Sequence, residues 1–219
     1  MSLPIDVQHP LGALFADIVR GVYPPVDCKT ETTPRPGGVV GAVLAFTGHH
    51  IVAADVDPAW VAERCPEGDL LTPLSPGFLL ELQHRIGGTS DALDVVFCGP
   101  ALSGGPDIAM RLIEDRIHPR VLRALRMRQE VRVYETPEAD GVLTLGRGLA
   151  GRWEASFEVA PDRRARGLGR ALVAAARHLI PANESIFMQV AAGNIASSRA
   201  VLAGGLIPVG AELLYHEHL

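Results

Sequence analysis

The chain has 219 residues, 47% of them apolar and 21% charged, which is enough to bury the core of one large domain or two small ones. No stretch approaches the ~20 uninterrupted apolar residues of a membrane span, and the first residues lack the basic cap and apolar core of a signal peptide. We therefore expect a cytoplasmic protein that does not bind membranes. Three widely spaced cysteines without metal-ligand spacing argue against a disulfide scaffold and against a metal site.

Charge is distributed unevenly along the chain. The formal net charge is −5, with 5 basic and 13 acidic residues up to position 110, and 15 basic and 12 acidic residues after it. A modest positive balance in the second half suits a phosphate-bearing small ligand better than a nucleic acid, which would call for a strongly basic domain. A chance split of charge is an equally good explanation of this feature alone.

Residues 1–105 are predicted to form a small α/β unit of unknown role. Its elements are helices over 10–21, 58–64 and 76–86, a loop over 22–38, and strands over 39–46, 51–56 and 93–98. His49 and His50 are expected in a solvated hairpin turn and not as metal ligands. After a linker at 103–106, Pro119 is expected to split the segment 107–128 into two helices.

From residue 130 the pattern indicates three antiparallel strands followed by alternating helices and strands. The strands are predicted over 131–135, 142–145 and 153–159, the last one strictly alternating, and they precede a helix over 168–179, a strand over 185–191, a helix over 194–202 and strands over 206–209 and 212–216. A loop lies between residues 159 and 168 and ends with Gly167. Gly169 follows it at the start of the helix, and four arginines lie in or beside the loop. Free N–H groups at a helix N-terminus, glycines without side chains and guanidinium charge together suit a pyrophosphate.

This loop resembles the signature Arg/Gln-x-x-Gly-x-Gly/Ala of the GNAT superfamily of N-acetyltransferases, matched here by Arg164, Gly167 and Gly169. The resemblance covers about residues 130–219 and is absent or very weak before about residue 107. It implies an α/β fold with a mixed, mostly antiparallel sheet flanked by helices over 106–219, with residues 1–105 as an α/β extension that supplies or covers the acceptor site.

The resemblance also implies acetyl-CoA as co-substrate and assigns residues to it. The expected coenzyme contacts are Phe157, Glu158, Val159, Arg164, Ala165, Arg166, Gly167, Leu168, Gly169, Arg170, Asn194, Ser197 and Arg199. Backbone groups of residues 157–159 would bind the pantetheine arm, residues 165–170 the pyrophosphate, and Asn194 the pantetheine or cysteamine end. Asn194 is also a good helix N-cap, and both roles can coexist.

The implied reaction is direct transfer of an acetyl group to a small-molecule or peptide amine. A carboxylate base on the strand before the signature would accept the amine's proton, with Glu154 as the first candidate and Glu158 as the second. Either glutamate could instead face solvent or pair with an arginine.

The general acid of the family is often a tyrosine, but this chain has Val201 at that position. Tyr215, Ser197 or Ser198 are substitutes, and thiolate can also leave unassisted. A catalytically idle CoA-binding or interaction module is therefore the alternative, and nucleotide binding through the glycine loop is a weaker third. A homodimer is compatible with the sequence, whereas the acceptor cannot be identified from it.

Overall fold

The computed structural model describes residues 8–114 and 117–217. Its helices are α1 (Pro10–Val19), α2 (Pro58–Arg64), α3 (Pro76–Ile86), α4 (Pro119–Met127), α5 (Leu168–His178) and α6 (Ile195–Ala203). Its strands are β1 (Lys29–Thr33), β2 (Gly41–Phe46), β3 (His49–Ala54), β4 (Thr89–Ser90), β5 (Asp94–Pro100), β6 (Arg111–Ile113), β7 (Gln129–Glu135), β8 (Gly141–Arg147), β9 (Trp153–Val159), β10 (Ser185–Ala191) and β11 (Ile207–His216). None of the helices in these ranges has the length and apolarity needed to cross a membrane.

The chain divides into two compact units. The N-terminal unit contains residues 8–95 and 209–217, and the C-terminal unit contains 96–114 and 117–208. The structure thus differs from the predicted boundary at 105/106 in two ways: β5 contributes to the C-terminal unit, and the last strand belongs with the N-terminal one. The second difference arises because β11 pairs with β2 over residues 211–215, a long-range contact that local sequence does not encode.

In the N-terminal unit the sheet order is β1, β3, β2, β11, with β4 on β11. β2 and β3 form an antiparallel hairpin, whereas β1 runs parallel to β3. Buried residues of β2, β3 and β11 pack with residues of α2 and α3, among them Phe78 and Leu82. Helices α2 and α3 begin and end at the predicted residues, since each opens with a capping residue before a proline, Asp57 and Ser75.

Three expectations for this unit are wrong. The strand β1 lies inside the segment predicted as a loop. His49 and His50 are the first two residues of β3 and are only 1% and 4% exposed, so they do not lie in a solvated turn. The Nδ1 atom of His49 is hydrogen-bonded to the Asp27 carboxylate at 2.9 Å. The last two predicted strands are one continuous strand, β11.

The C-terminal unit is built on a sheet with the strand order β5, β10, β9, β8, β7, β6. From β9 to β6 all neighbours are antiparallel, while β10 is parallel to β9. Both units therefore have the mixed α/β class predicted, with mostly antiparallel sheets flanked by helices. The bounds of β9 and β10 agree with the prediction as well.

Helices cover both faces of this sheet. On one face α5 packs against β8, β9 and β10, with Leu168 and Leu172 close to Gly141. On the other face α4 packs against β7, β8 and β9, with Val121 buried between Val133 and Val142. The segment 107–128 contains this one helix among its described residues, and β6 stands where the other helix was predicted; residues 115–116 lie outside the described ranges.

Candidate functional site

The parallel strands β9 and β10 separate soon after they meet. Their backbone pairs are Trp153 with Ile186 and Glu154 with Phe187, and among the described residues the pairing ends there. β9 continues for five more residues to Val159, still paired with β8 on its other side. The sheet therefore opens along the C-terminal half of β9.

The hydrogen bonds to β8 determine which backbone groups face this opening. Ala160 N–H donates to Asp140 O and Gly148 N–H donates to Arg152 O, so even-numbered residues of β9 bond to β8. Alternation then directs the N–H and C=O groups of Phe157 and Val159 toward the opening. The backbone of Glu158 bonds to β8, so the predicted coenzyme contact through its main chain is wrong, and those of Phe157 and Val159 remain predictions.

The first half of the loop after β9 is held by side-chain contacts. Arg163 donates from Nε to the Asp140 carboxylate at 2.8 Å, and Arg164 donates from Nε to Val159 O at 3.1 Å. Thr136 donates to the other Asp140 oxygen at 2.7 Å, and these bonds hold the pKa of Asp140 below its ordinary value. The signature arginine thus fixes the end of β9 and the start of the loop.

Six consecutive backbone N–H groups, from Ala165 to Arg170, donate to no acceptor in the described part of the chain. Ala165 and Gly167 both have left-handed φ angles, +59° and +89°, which turn successive N–H groups of the loop toward one side. Gly167 is the N-cap of α5 and provides no side-chain cap. A row of free donors at the positive end of a helix dipole is suited to a phosphate group.

The two glycines of the signature have different tasks. A Cβ on Gly167 would meet no atom within 4 Å, so the space above this residue is open. A Cβ on Gly169 would lie 3.3 Å from the Phe157 ring and 3.3 Å from the Ala200 Cβ. Gly167 therefore leaves room for a ligand and adopts a left-handed φ, whereas Gly169 lets α5 approach β9 and α6 closely.

Exposed cations and polar residues surround this loop. Arg166 and Arg170 are exposed and have no partner among the described side chains, whereas Arg163 and Arg164 are held as described above. Asn194, also exposed, is the N-cap of α6 and accepts from Ser197 N–H at 3.2 Å, so its predicted N-cap role is confirmed. The hydroxyl of Ser198, which the sequence predicts with Ser197 as a substitute acid, donates to Asn194 O. Arg199 is exposed on α6.

Glu154, the first candidate for the general base, is 5% exposed. Its carboxylate accepts from Arg128 Nε at 3.1 Å, from Arg152 Nε at 2.9 Å and from Leu149 N–H at 3.2 Å. Burial alone would raise the pKa of Glu154, but the two guanidinium groups outweigh it and leave the pKa lowered. A carboxylate in this environment is a poor proton acceptor, so the structure corrects the assignment of Glu154 as base to a buried ion pair.

Glu158 lies on the same face of β9 and differs in accessibility. Its side chain is 40% exposed, and its carboxylate accepts from Arg120 Nε of α4 at 3.2 Å. The polar face predicted for β9 is thus not a solvent face, because α4 covers it with arginines. Of the two glutamates, Glu158 is the one that is accessible to solvent.

Tyr215, predicted as a substitute general acid, lies in the N-terminal unit and not in the unit that contains the loop. It is 0% exposed in the core of the N-terminal unit, and its hydroxyl donates to Leu79 O at 2.8 Å. Burial raises the pKa of Tyr215. The assignment of Tyr215 to catalysis is therefore corrected. Val201, at the usual tyrosine position, is 0% exposed on α6.

Comparison with solved structures shows which proteins the chain is similar to. An acetyltransferase of the GNAT family from Colwellia psychrerythraea matches with a TM-score of 0.42 and 10% identity over 64% of this chain and 62% of that one. A GCN5-related N-acetyltransferase from Sphaerobacter thermophilus matches with a TM-score of 0.38 and 14% identity over 65% and 56%. The chain is thus similar to two GNAT proteins.

A third match, a protein from Drosophila, has a TM-score of 0.45 and 14% identity over 76% of this chain and 69% of that one. The chain spans less than two thirds of the first two structures. No family model and no curated protein sequence matches it. With every one of these TM-scores below 0.5, the functional assignment depends on the geometry of the loop and of the opened strand pair.

The arginines that reach β9 from α4 carry no signal in the sequence. Arg120 and Arg128 come from α4 and its C-terminal end, 38 and 26 residues from their glutamate partners. Arg152 is two residues from Glu154, a spacing that places both on one face of a strand and could have suggested the pair. The local pattern predicts Asp140 only as part of a turn. Across the described residues no group of three His, Cys, Asp or Glu side chains is arranged to hold a metal ion.

Proposed function

We propose that the protein is an acetyl-CoA-dependent N-acyltransferase that transfers an acetyl group directly to an amine. The observation that carries the proposal is the row of six free N–H groups from Ala165 to Arg170, placed where an opened parallel strand pair ends. The row is suited to an anionic group, and the open edge of β9 offers hydrogen bonds to an extended chain. A ligand that suits both parts has a pyrophosphate for the N–H groups of the loop and, joined to it, an amide-containing arm for the open edge of β9.

The residues present fit coenzyme A. The pyrophosphate would accept hydrogen bonds from the loop, with Arg166 and Arg170 adding charge on its outer side. The pantetheine amides would pair with Phe157 and Val159 along the open edge of β9, as an added strand does. The exposed side chain of Asn194 extends from the N-terminal end of α6, after β10, and is proposed to bond the arm from that side.

The reaction needs an amine without its proton, a polarised carbonyl and a place for the thiolate charge. The amine nitrogen forms a bond to the thioester carbon, the carbon–sulfur bond breaks, the ammonium proton passes to a base, and the thiolate leaves or takes up a proton from water. We assign the base to Glu158, acting directly or through water, because it is the accessible carboxylate on β9. The free N–H of Phe157 is proposed to polarise the carbonyl.

A CoA-binding module without turnover is the second candidate. It is favoured by two of the expected positions for a general acid: Val201 stands where the family often has tyrosine, and the Tyr215 hydroxyl is buried. Thiolate is a fair leaving group, so transfer does not strictly require such an acid.

Two measurements on the full chain test the proposal. Calorimetric titration with acetyl-CoA measures binding, and thiol release with a panel of amines measures transfer. Binding with steady amine-dependent thiol release is the expected result. Binding without release for every amine would favour the module, and failure to bind acetyl-CoA would overturn both. ATP titrated in parallel checks nucleotide binding through the same loop.

A further inference from the structure

Ser156 and Gln189 occupy matching positions on β9 and β10 just beyond the point where the pairing of these strands ends. Glu154 and Phe187 are the last paired residues and fix the register of the two strands. Continued by two residues, this register matches Ser156 of β9 with Gln189 of β10. Residues two apart on a strand point to the same face. That face is the one covered by α4, since Arg152, bonded there to Glu154, lies 5.0 Å above the Phe187 ring.

Gln189 brings a hydrogen-bond donor that the described part of the chain leaves unused. The Gln189 Nε2 atom is buried and has no hydrogen-bond partner among the described residues. The Ser156 hydroxyl is 2.8 Å from Thr144 Oγ1 and 3.4 Å from Arg128 Nη1. A buried amide N–H without an acceptor costs free energy, so a ligand that accepts from Gln189 regains it.

Arg128 adds positive charge beside these donors. Its side chain is 9% exposed, and its carboxylate partner, Glu154, also serves Arg152. One negative charge is thus divided between two guanidinium groups, and the charge of Arg128 is only partly compensated. Burial lowers the pKa of Arg128 in spite of Glu154, which agrees with incomplete compensation.

We propose that Gln189 and Arg128 bind the carboxylate of the amine acceptor, which makes the acceptor an α-amino acid or a peptide end with amine and carboxylate close together. This inference rests on the proposed N-acyltransferase function. The unpartnered Gln189 atom is an N–H donor and the charge supplied by Arg128 is positive, which favours an anion over an ammonium, and one partly compensated cation matches a single negative charge. The doubly charged pyrophosphate has its own place at Ala165–Arg170, nine residues or more beyond Ser156.

The test compares each α-amino acid with its own carboxamide on the full-length protein with acetyl-CoA. Rates are expressed per concentration of neutral amine, because the two members of a pair differ in amine pKa. We expect kcat/KM to be roughly 10- to 100-fold higher for the carboxylate, the range of a hydrogen bond to a charged group. The preference should appear in KM more than in kcat, since the carboxylate is bound and does not react.

Gln189→Met is the decisive variant because it keeps the length of the side chain and removes the amide donors. It should raise KM for the carboxylates about 10-fold, raise KM for the carboxamides less because the bond their carbonyl accepts is not charge-assisted, and leave acetyl-CoA affinity unchanged by calorimetry. A thermal melt verifies folding. Gln189→Glu is a second variant. It should raise KM for the carboxylates further, because two negative charges repel, and should affect the carboxamides less.

The outcomes separate the two proposals. If acetyl-CoA does not bind, the proposed function fails and this inference fails with it. If acetyl-CoA binds and the two members of each pair react equally, or the carboxamides react faster, the carboxylate site alone is overturned. The carboxylate site is likewise overturned if Gln189→Met affects both members equally, or if neither member reacts although acetyl-CoA binds.

Discussion

Replacing Gly167 by glutamate tests the anion-binding loop most directly. The residue has φ +89° and an ideal Cβ would meet no atom within 4 Å, so the fold has room for a side chain. A left-handed conformation costs a non-glycine residue about 1–2 kcal/mol, which the fold should tolerate. The new carboxylate would stand among the N–H groups of Ala165–Arg170, where the pyrophosphate is proposed to bind.

The expected loss of affinity follows from Coulomb's law. Two like charges about 5 Å apart repel by about 3 kcal/mol at an effective dielectric constant of about 20, which is roughly two orders of magnitude in Kd for each phosphate charge. Steric obstruction acts in the same direction. Acetyl-CoA binding to Gly167→Glu should therefore fall below detection by calorimetry while the thermal melt stays cooperative.

Two controls separate charge from backbone strain. Gly167→Ala carries the left-handed strain without the carboxylate, so most of the affinity should remain. Gly104→Glu places the same carboxylate at another open glycine of the C-terminal unit, with φ +79° and no atom within 4 Å of its Cβ, and should bind acetyl-CoA like the wild type. Wild-type affinity in a folded Gly167→Glu protein would refute the location of the coenzyme site.

Three further substitutions test the roles of individual side chains. Glu158→Gln should lower turnover by ~10²- to 10⁴-fold at unchanged acetyl-CoA affinity, and normal turnover would remove Glu158 as base. Glu154→Gln should destabilise the fold by about 3–5 kcal/mol in chemical denaturation because two buried guanidinium groups lose their carboxylate; unchanged stability would contradict the ion-pair role. The lowered pKa of Glu154 means that its stabilisation is present above about pH 4.5 and is lost as the pH falls below that value, so the variant should lack this part of the acid dependence. Tyr215→Phe should cost about 1 kcal/mol of stability and leave turnover unchanged, and a loss of turnover would restore a catalytic role for the hydroxyl.

Much of the site's backbone could be predicted from the sequence because it is encoded locally. The alternation of Trp153–Val159 determines a strand, Pro161 ends it, and Gly167 supplies the left-handed residue from which α5 begins. These signals lie within a few residues of the structure they specify. For the same reason the sequence predicts Asn194 as the cap of α6.

Partners that come from distant parts of the chain could not be predicted. Alternation shows that Glu154 and Glu158 share one face of β9, but whether that face meets solvent, an acceptor or another helix depends on where α4 packs. The tertiary structure places Arg120 and Arg128 there, so one glutamate is buried in an ion pair and the other remains accessible. It likewise buries Tyr215.

The sequence by itself thus determined the strand, loop and helix that form the proposed anion site, since their hydrogen bonds and φ angles are local properties. Only the tertiary structure decided which side chains are available for chemistry. Burial and ion pairing depend on residues that approach from 26 to 136 positions away in the chain, as between Arg128 and Glu154 or Tyr215 and Leu79. A periodic pattern shows that two faces exist, whereas packing determines what each face meets.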